Sequence, residues 1–186
     1  YDDDAKRYHL FAQWLASEAM KGIARNARGK GRHLYLDLPL GVHPDGYDVW
    51  RFQDVFALGA SSGAPPDAFF ASGQDWGFPP FHPERLRASK YEYVIAYLRH
   101  HLEHASLLRI DHVMGLHHVF WLPRTPVVGE GVYVRYKAEE MYAILSLENH
   151  RAEAEIVGEN LGTVPRYVNQ ALARHNVLRM YVLHYE

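Results

Sequence analysis

The stretch 107–115 (LLRIDHVMG) decides the fold, together with 154–162 (AEIVGENLG) further along the chain. In each stretch a short apolar run is followed by a carboxylate, Asp111 in the first and Glu159 in the second. A short apolar run bounded by polar and turn-forming residues is typical of a strand buried in a parallel sheet. Carboxylates at the carboxyl ends of successive parallel strands are typical of the active face of a barrel.

Predicted helices alternate with predicted strands along the rest of the chain. Apolar runs predict strands at 34–38, 107–111, 154–158 and 178–183, and three- and four-residue periodicity predicts helices at 4–27, 89–105, 138–152 and 165–175. The first helix carries an apolar stripe that includes Tyr8, Phe11, Leu15 and Ile23, and Ser89 with Glu92 forms a capping-box pattern. This alternation predicts an α/β fold with parallel pairing and right-handed crossovers.

Two long segments lack clear periodicity and are predicted as loops. The first, 41–88, is rich in glycine, proline and serine, and the second is 113–136. Loops of this length within a compact domain are usually functional. We therefore expect a loop-rich insertion at about 41–88 within a single domain that spans 1–186.

The composition excludes several classes of protein. The 186 residues are 48% hydrophobic and 23% charged, which indicates a globular protein, and the net charge of −2 disfavours nucleic-acid partners. No apolar run reaches the roughly 18 residues of a membrane span, and no signal peptide is visible, so a cytoplasmic location is expected. The absence of cysteine excludes disulfides and thiol nucleophiles. The length falls short of the roughly 200–250 residues of a complete barrel.

Arg109, Asp111 and Glu159 are the candidate catalytic residues. Residues two apart in a strand share a face, so the Arg109 guanidinium is expected beside Asp111, where it favours the ionised carboxylate of a nucleophile. A structural ion pair is the alternative. Glu159 lies between two glycines after an apolar strand, where partial desolvation favours the protonated form of a general acid. A surface turn is the alternative for Glu159.

The two carboxylates together predict glycoside chemistry. One ionised and one protonated carboxyl group flank the scissile bond in most glycosidases. Neighbouring strands lie about 4.8 Å apart, which fits the roughly 5–5.5 Å separation of a retaining pair better than the wider inverting gap.

The loop segments contain residues suited to a sugar cleft. Trp76 can stack on a sugar ring while Gln74 and Asp75 bind hydroxyl groups, and Phe69 belongs to a proline-stiffened turn that fits a lip over the cleft. Packing of these loops on their own core is the alternative.

The 13 histidines raise the question of a metal site. The segment from His100 to His104 places its glutamate at 103, whereas a zinc-protease motif requires His-Glu-x-x-His. We therefore predict no metal and interpret these histidines as exposed or capping residues.

Five segments resemble the 4-alpha-glucanotransferases, also called amylomaltases or disproportionating enzymes. In chain order they are LDLPLGVHPDGYDVW (36–50), APPDAF (64–69), GQDWGFPPF (73–81), RIDHVMG (109–115) and GENLGTVP (158–165). Their order and spacing also match, and the resemblance extends over nearly the whole chain from about residue 8.

The resemblance implies a (β/α)8 TIM barrel of the alpha-amylase type, of which this chain covers about strands three to six. It implies Asp111 as the nucleophile and Glu159 as the acid/base in retaining transfer of α-1,4-glucan segments between maltooligosaccharides, with no cofactor. Further residues are implied to bind substrate: Arg109, His112, Trp76, Gln74, Phe69 and, beside the cleft, Asp45.

The family has a third catalytic carboxylate, preceded by histidine, for which this sequence has no counterpart before Glu186. We therefore expect the chain to be a fragment that is inactive alone, to which the remainder of the barrel is a possible partner. An amylase-type α-glucan hydrolase and a non-catalytic glucan-binding module are the alternative functions.

Overall fold

The computed structural model describes residues 3–124 and 131–183. In chain order its helices and strands are α1 (Asp3–Gly29), β1 (Tyr35–Leu38), α2 (Tyr47–Arg51), β2 (Ala60–Ala64), β3 (Gln74–Asp75), α3 (Pro83–Ala88), α4 (Glu92–Leu102), β4 (Leu107–Ile110), β5 (His118–Pro123), β6 (Val132–Arg135), α5 (Ala138–Ala152), β7 (Glu155–Gly158), α6 (Arg166–Arg174) and β8 (Leu178–Arg179). Short 3-10 helices cover Gln53–Val55 and Val113–Leu116. No described helix is both long and apolar enough to cross a membrane.

A four-stranded parallel sheet forms the centre of the fold. Its strand order is β1-β4-β7-β8, which follows the order of the chain. Helices α4, α5 and α6 each precede the next strand of this sheet, as the alternating pattern predicts. Because the order never reverses, the sheet progresses in one direction as a barrel wall does, unlike a doubly wound sheet.

The helices bury one face of this sheet. Leu108 and Ile156 are almost completely buried, and both belong to the same apolar cluster as Leu98 of α4, Tyr142 of α5 and Leu172 of α6. Glu148 of α5 is also buried and binds Arg99 of α4 and Arg151, with N–O distances of 2.8 Å to each. The charged contact therefore joins α4 to α5 at the edge of the apolar layer.

A second sheet occupies the segments that were predicted as loops, which corrects that prediction. Strands β2 and β3 lie within 41–88, and β5 and β6 lie within 113–136, in the antiparallel order β3-β2-β5-β6. The β2 sequence ASSGA has small residues and almost no hydrophobic alternation, so no local pattern reveals it. Its stability comes from pairing with β5, which is 54 or more residues further along the chain. Residues 125–130 of the second segment lie outside the described residues.

Two predicted boundaries were also wrong. Helix α4 begins at Glu92 and not at Ser89, because Lys90 and Tyr91 adopt left-handed φ values of 55° and 59°. Ser89 ends α3, and its hydroxyl donates to the Leu86 carbonyl at 2.8 Å. The last strand, predicted over 178–183, pairs only at Leu178 and Arg179.

Helix α1 has the predicted extent but little of it is buried. Tyr8, Phe11, Leu15 and Ile23 of its apolar stripe are all exposed, and Ala24 is the buried residue of the helix. The periodicity therefore identified the helix correctly, although nothing in the described part of the chain covers the stripe.

Gly63 tests the pairing of β2 with β3. A Cβ atom at Gly63 would overlap the backbone oxygen of Gln74, which cannot move without breaking the strand pair. We expect Gly63→Ala to lower the free energy of unfolding by about 2 kcal/mol in urea denaturation. Gly59→Ala is the control, because its Cβ would meet no atom within 4 Å, and its effect should stay within about 0.5 kcal/mol. Equal stability of the two variants would contradict the pairing.

Candidate active site

Asp111 and Glu159 follow paired residues on neighbouring strands. Ile110 of β4 is in register with Gly158 of β7, and each carboxylate residue comes directly after its strand. The backbone continues this pairing, since the Glu159 N–H donates to the Ile110 carbonyl at 2.8 Å. The two residues thus occupy equivalent positions at the carboxyl ends of adjacent parallel strands, as the sequence predicted.

The carboxylate of Glu159 is held by two backbone donors. Oε2 accepts from the His112 N–H at 3.0 Å, and Oε1 accepts from the Leu161 N–H at 2.7 Å. Glu159 is 8% exposed and is therefore fixed beside the residue that follows Asp111. Each carboxylate oxygen has a second lone pair, so both can still bind a substrate atom. The protonated state expected for Glu159 stays a prediction.

Arg109 connects Asp111 to the rest of the sheet. Its Nη2 lies 2.8 Å from Asp111 Oδ1, and its Nη1 lies 2.7 Å from Oδ1 of Asp37 in β1. The hydrogen bond to Asp37, with a further contribution from Asp111, raises the pKa of the Arg109 guanidinium. The predicted Arg109–Asp111 pair therefore forms, and Asp37 is an additional partner.

His112 links the two catalytic candidates to the aromatic loop. It adopts a left-handed φ of 46°, a conformation that costs energy in a non-glycine residue. Its ring lies edge-on to Trp76, with centroids 5.2 Å apart. Burial lowers the pKa of His112, although the nearby Glu159 and Asp111 charges oppose the shift. The fold therefore brings Trp76, predicted from a distant loop, to the site.

Gln74 and Asp75 support the position of Trp76 from within β3. Gln74 Oε1 accepts from Trp76 Nε1 at 3.3 Å. The Asp75 carboxylate accepts from the Ser61 hydroxyl and from the Gly77 N–H, the latter at 2.8 Å. Both side chains therefore stabilise their own loop, as the alternative interpretation of this segment predicts. Their role in binding sugar hydroxyls stays a prediction.

The two remaining predicted substrate residues are exposed. Phe69 is 91% exposed in a turn that the Asp67 carboxylate closes by accepting the Phe69 and Phe70 N–H groups. Asp45 lies in the turn before α2, where its N–H donates to His43 Nδ1 at 3.1 Å. Phe69 lines the second of the two cavities described next, whereas Asp45 lines neither of them.

Two cavities have lining residues at or next to the two carboxylate positions. One, of about 500 Å³, reaches Asp111 and His112 and has an aromatic lining that includes Tyr47, Phe78 and Tyr93. The other, of about 810 Å³, lies between the loop after Glu159 and the end of β8, and its lining residues include Phe69, Asn160, Leu161 and Met180. Asp111 therefore opens into the first cavity, and the second is lined by the two residues that follow Glu159.

Several of the described histidines contact a single neighbouring group. His101 Nδ1 lies 2.8 Å from the Tyr97 carbonyl, and His117 Nε2 lies 3.0 Å from the Tyr142 hydroxyl. Within residues 3–124 and 131–183, no group of three or more His, Asp or Glu side chains is arranged to hold a metal ion.

Sequence reasoning missed two features of the site. Met180 contacts Arg109, although a methionine in an apolar run carries no chemical signal. The N–H groups of His112 and Leu161, which donate to the Glu159 carboxylate, were also not predicted. Nearly every residue has a backbone N–H group, so the sequence does not indicate which of them will bind a side chain. The glycines around Glu159 were the one available indication that the backbone turns closely there.

The described structure thus combines a parallel sheet, an adjacent pair of carboxylates at its carboxyl end and an aromatic-lined cavity that reaches Asp111. The sequence profile of the family described as 4-alpha-glucanotransferase matches residues 2–186. The chain belongs to this 4-alpha-glucanotransferase family.

Individual relatives agree with the family assignment. The chain is 41% identical over 185 residues to the 4-alpha-glucanotransferase of Mycobacterium tuberculosis and 35% identical over 181 residues to that of Haemophilus influenzae. These alignments cover 98% and 96% of this chain, and 26% of each relative. The chain therefore spans about a quarter of the length of these relatives.

Solved structures show the same fold. The crystal structure of amylomaltase from Corynebacterium glutamicum matches 99% of this chain and 26% of its own with a TM-score of 0.92 and 36% identity. Amylomaltase from Streptococcus agalactiae, solved in complex with acarbose, matches 98% of this chain and 38% of its own with a TM-score of 0.88 and 22% identity.

Partly buried histidines near the site predict a dependence of stability on pH. Burial lowers the pKa of His112, His117 and His118 below the ordinary value of 6.5. The unfolded chain therefore binds protons first as the pH falls through about 6.5, and the free energy of unfolding decreases. We expect the loss between pH 7.5 and pH 5.5 to be smaller in His118→Gln than in the unchanged protein, measured by urea denaturation. Parallel pH profiles for the two proteins would disagree with this result.

Proposed function

We propose that this chain carries the catalytic pair of a longer enzyme that transfers α-1,4-glucan segments between maltooligosaccharides. The observation that carries the proposal is the placement of Asp111 and Glu159 after the paired residues Ile110 and Gly158 of adjacent strands. Family membership supports the same reaction. The substrate would be maltodextrin, and the process would belong to carbohydrate metabolism.

The first step is formation of a glycosyl-enzyme. An Asp111 carboxylate oxygen attacks the anomeric carbon of the donor glucan, and the bond from that carbon to the glycosidic oxygen breaks. Glu159 gives its proton to the leaving oxygen, so the first product departs as a neutral sugar. The ion pair between Arg109 Nη2 and Asp111 Oδ1, which are 2.8 Å apart, orients the attacking carboxylate.

The second step reverses these roles. Glu159, now ionised, takes the proton of an acceptor 4-hydroxyl, and the acceptor oxygen attacks the anomeric carbon. The ester bond to Asp111 breaks, and the aspartate returns to its carboxylate form. Two inversions at the same carbon give net retention of configuration.

Transfer exceeds hydrolysis when the acceptor sugar enters and water is kept out. Trp76 lies against His112, and Phe69 lines a cavity together with Asn160 and Leu161; these positions support the proposal that both rings cover a bound glucan. Gln74, Asp75 and Asp45 supply further polar groups for sugar hydroxyls, and His112 contacts the donor sugar. No cofactor takes part in this mechanism.

The parallel sheet is proposed to form about strands three to six of a (β/α)8 barrel, with residues 1–186 within one catalytic domain. Strands β1 and β8 are the edges of the described sheet, where Tyr35 and Leu178 are exposed. Open edges present unpaired backbone groups to which further strands can bind. The remainder of the barrel is accordingly the partner we propose for this chain.

The alternatives are a hydrolase of the amylase type and a non-catalytic glucan-binding module. Incubation of the full-length enzyme with maltotriose separates them. A transferase yields glucose with a ladder of longer maltodextrins, a hydrolase yields only shorter products, and a binding module yields none.

Substitution of the two carboxylates tests their roles. In the full-length enzyme we expect Asp111→Asn to lower kcat for maltotriose disproportionation by about 10⁴-fold, because the amide is a poor nucleophile. Glu159→Gln should lower it by about 10²–10⁴-fold, because proton transfer is lost. Product formation followed by chromatography measures both effects.

Asp54→Asn is the matched control, since Asp54 is an exposed carboxylate in the 3-10 helix Gln53–Val55. Its kcat should equal that of the unchanged enzyme. Retention of activity in Asp111→Asn would refute the assignment of the nucleophile.

The isolated 186-residue chain provides a further test. We expect no disproportionation of maltotriose by this chain, because the open sheet edges and the exposed stripe of α1 leave the cleft incomplete. Detection of maltotetraose and glucose in that incubation would overturn the expectation. The full-length enzyme serves as the positive control.

A further inference from the structure

Three donor groups of Arg109 have three different partners. Nη2 binds Asp111 at 2.8 Å, Nη1 binds Asp37 at 2.7 Å, and Nε donates to Met180 Sδ at 3.2 Å. The Arg109 side chain is 22% exposed, so it is largely shielded from solvent. Only the first of these partners belongs to the proposed catalytic pair.

The partners lie on different strands of the parallel sheet. Asp37 is in β1, directly in register with Arg109. Met180 follows β8, which lies beyond β7, so the contact between Arg109 and Met180 joins residues on either side of the strand that leads to Glu159. Arg109 is therefore held from both sides of its own strand.

The shape of the guanidinium makes this arrangement informative. It is planar and its donors point in fixed directions, so bonds on three sides define both its position and its tilt. An arginine that bound Asp111 alone would keep several rotatable bonds, and the carboxylate would move with it. A shift of about 1 Å in a reacting group can lower a rate by about 100-fold.

We propose that Asp37 and Met180 are positioning residues that hold the Arg109 guanidinium in place and so fix the Asp111 carboxylate for attack. This inference rests on the proposed function of Asp111. Neither residue contacts the reacting atoms in this role. Asp37 provides the charged anchor, and Met180 provides a weak acceptor that sets the tilt.

A double-mutant cycle on the full-length enzyme tests the Asp37 anchor. Asp37→Asn removes the charge and should lower kcat for maltotriose by about 10-fold, the effect of a charge-assisted hydrogen bond worth about 1.4 kcal/mol, with little change in KM. Arg109→Lys removes the planar guanidinium that Asp37 holds. In that background, Asp37→Asn should therefore lower kcat by less than a further 2-fold. Equal losses in both backgrounds would overturn the role through Arg109.

Substitution of Met180 provides an independent test. Met180→Leu keeps the volume and removes the sulfur acceptor, so kcat should fall about 3-fold in the unchanged background and stay constant in Arg109→Lys. Met180→Gln restores an acceptor through its amide oxygen and should recover kcat relative to Met180→Leu. Equal kcat values for Met180→Leu and the unchanged enzyme would remove Met180 from the proposal.

The outcomes separate this inference from the proposed function. Asp54→Asn should match the unchanged enzyme in kcat and KM. If Asp111→Asn retained activity, the proposed nucleophile would be wrong. A different result would be an inactive Asp111→Asn together with effects of Asp37→Asn and Met180→Leu on kcat that are additive with that of Arg109→Lys. In that case the positioning role of Asp37 and Met180 would be wrong, and the assignment of Asp111 as the nucleophile would stand.

Discussion

The pairing of β4 with β7 is the constraint on which the site depends. Parallel strands in register place Ile110 opposite Gly158, so the residues that follow them emerge side by side at one edge of the sheet. A register shift of one residue would turn either carboxylate to the opposite face. The shift is prevented by the apolar layer beneath, where Leu108 and Ile156 are buried against α4, α5 and α6. The apolar core therefore fixes the register of β4 with β7, and this register sets the relative positions of Asp111 and Glu159.

The second sheet completes the site from the other side. Strand β3 carries Gln74 and Asp75, whose side-chain bonds hold Trp76 and the turn at Gly77, and Trp76 in turn contacts His112. His112 has a left-handed conformation, and its N–H group holds the Glu159 carboxylate. A chain of contacts thus connects the antiparallel sheet to the proposed acid/base. The described parts of segments 41–88 and 113–136 supply the strands of this antiparallel sheet.

Much of the site could be predicted from single residues and their spacing. Asp111 and Glu159 were proposed because each follows a predicted strand, and Arg109 because residues two apart share a face of a strand. Trp76 and Phe69 were proposed from composition and family resemblance, but where they lie relative to the carboxylates required the fold. Met180 and the main-chain donors could not be predicted, since the first lacks a distinctive pattern and the second are common to all residues. Strand β2 escaped prediction because its partners are distant and its residues are small.

The sequence by itself determined the alternation of helices and strands, the parallel sheet, the two carboxylates and the family. These follow from local features: apolar periods, turn residues and short motifs that do not depend on distant partners. The tertiary structure alone decided that 41–88 and 113–136 contribute a common antiparallel sheet, that α4 begins at Glu92, and that Arg109 binds Asp37, Asp111 and Met180. Each of these depends on contacts between residues far apart in the chain. Such contacts form only when the apolar core has brought the strands together, and no local pattern records them.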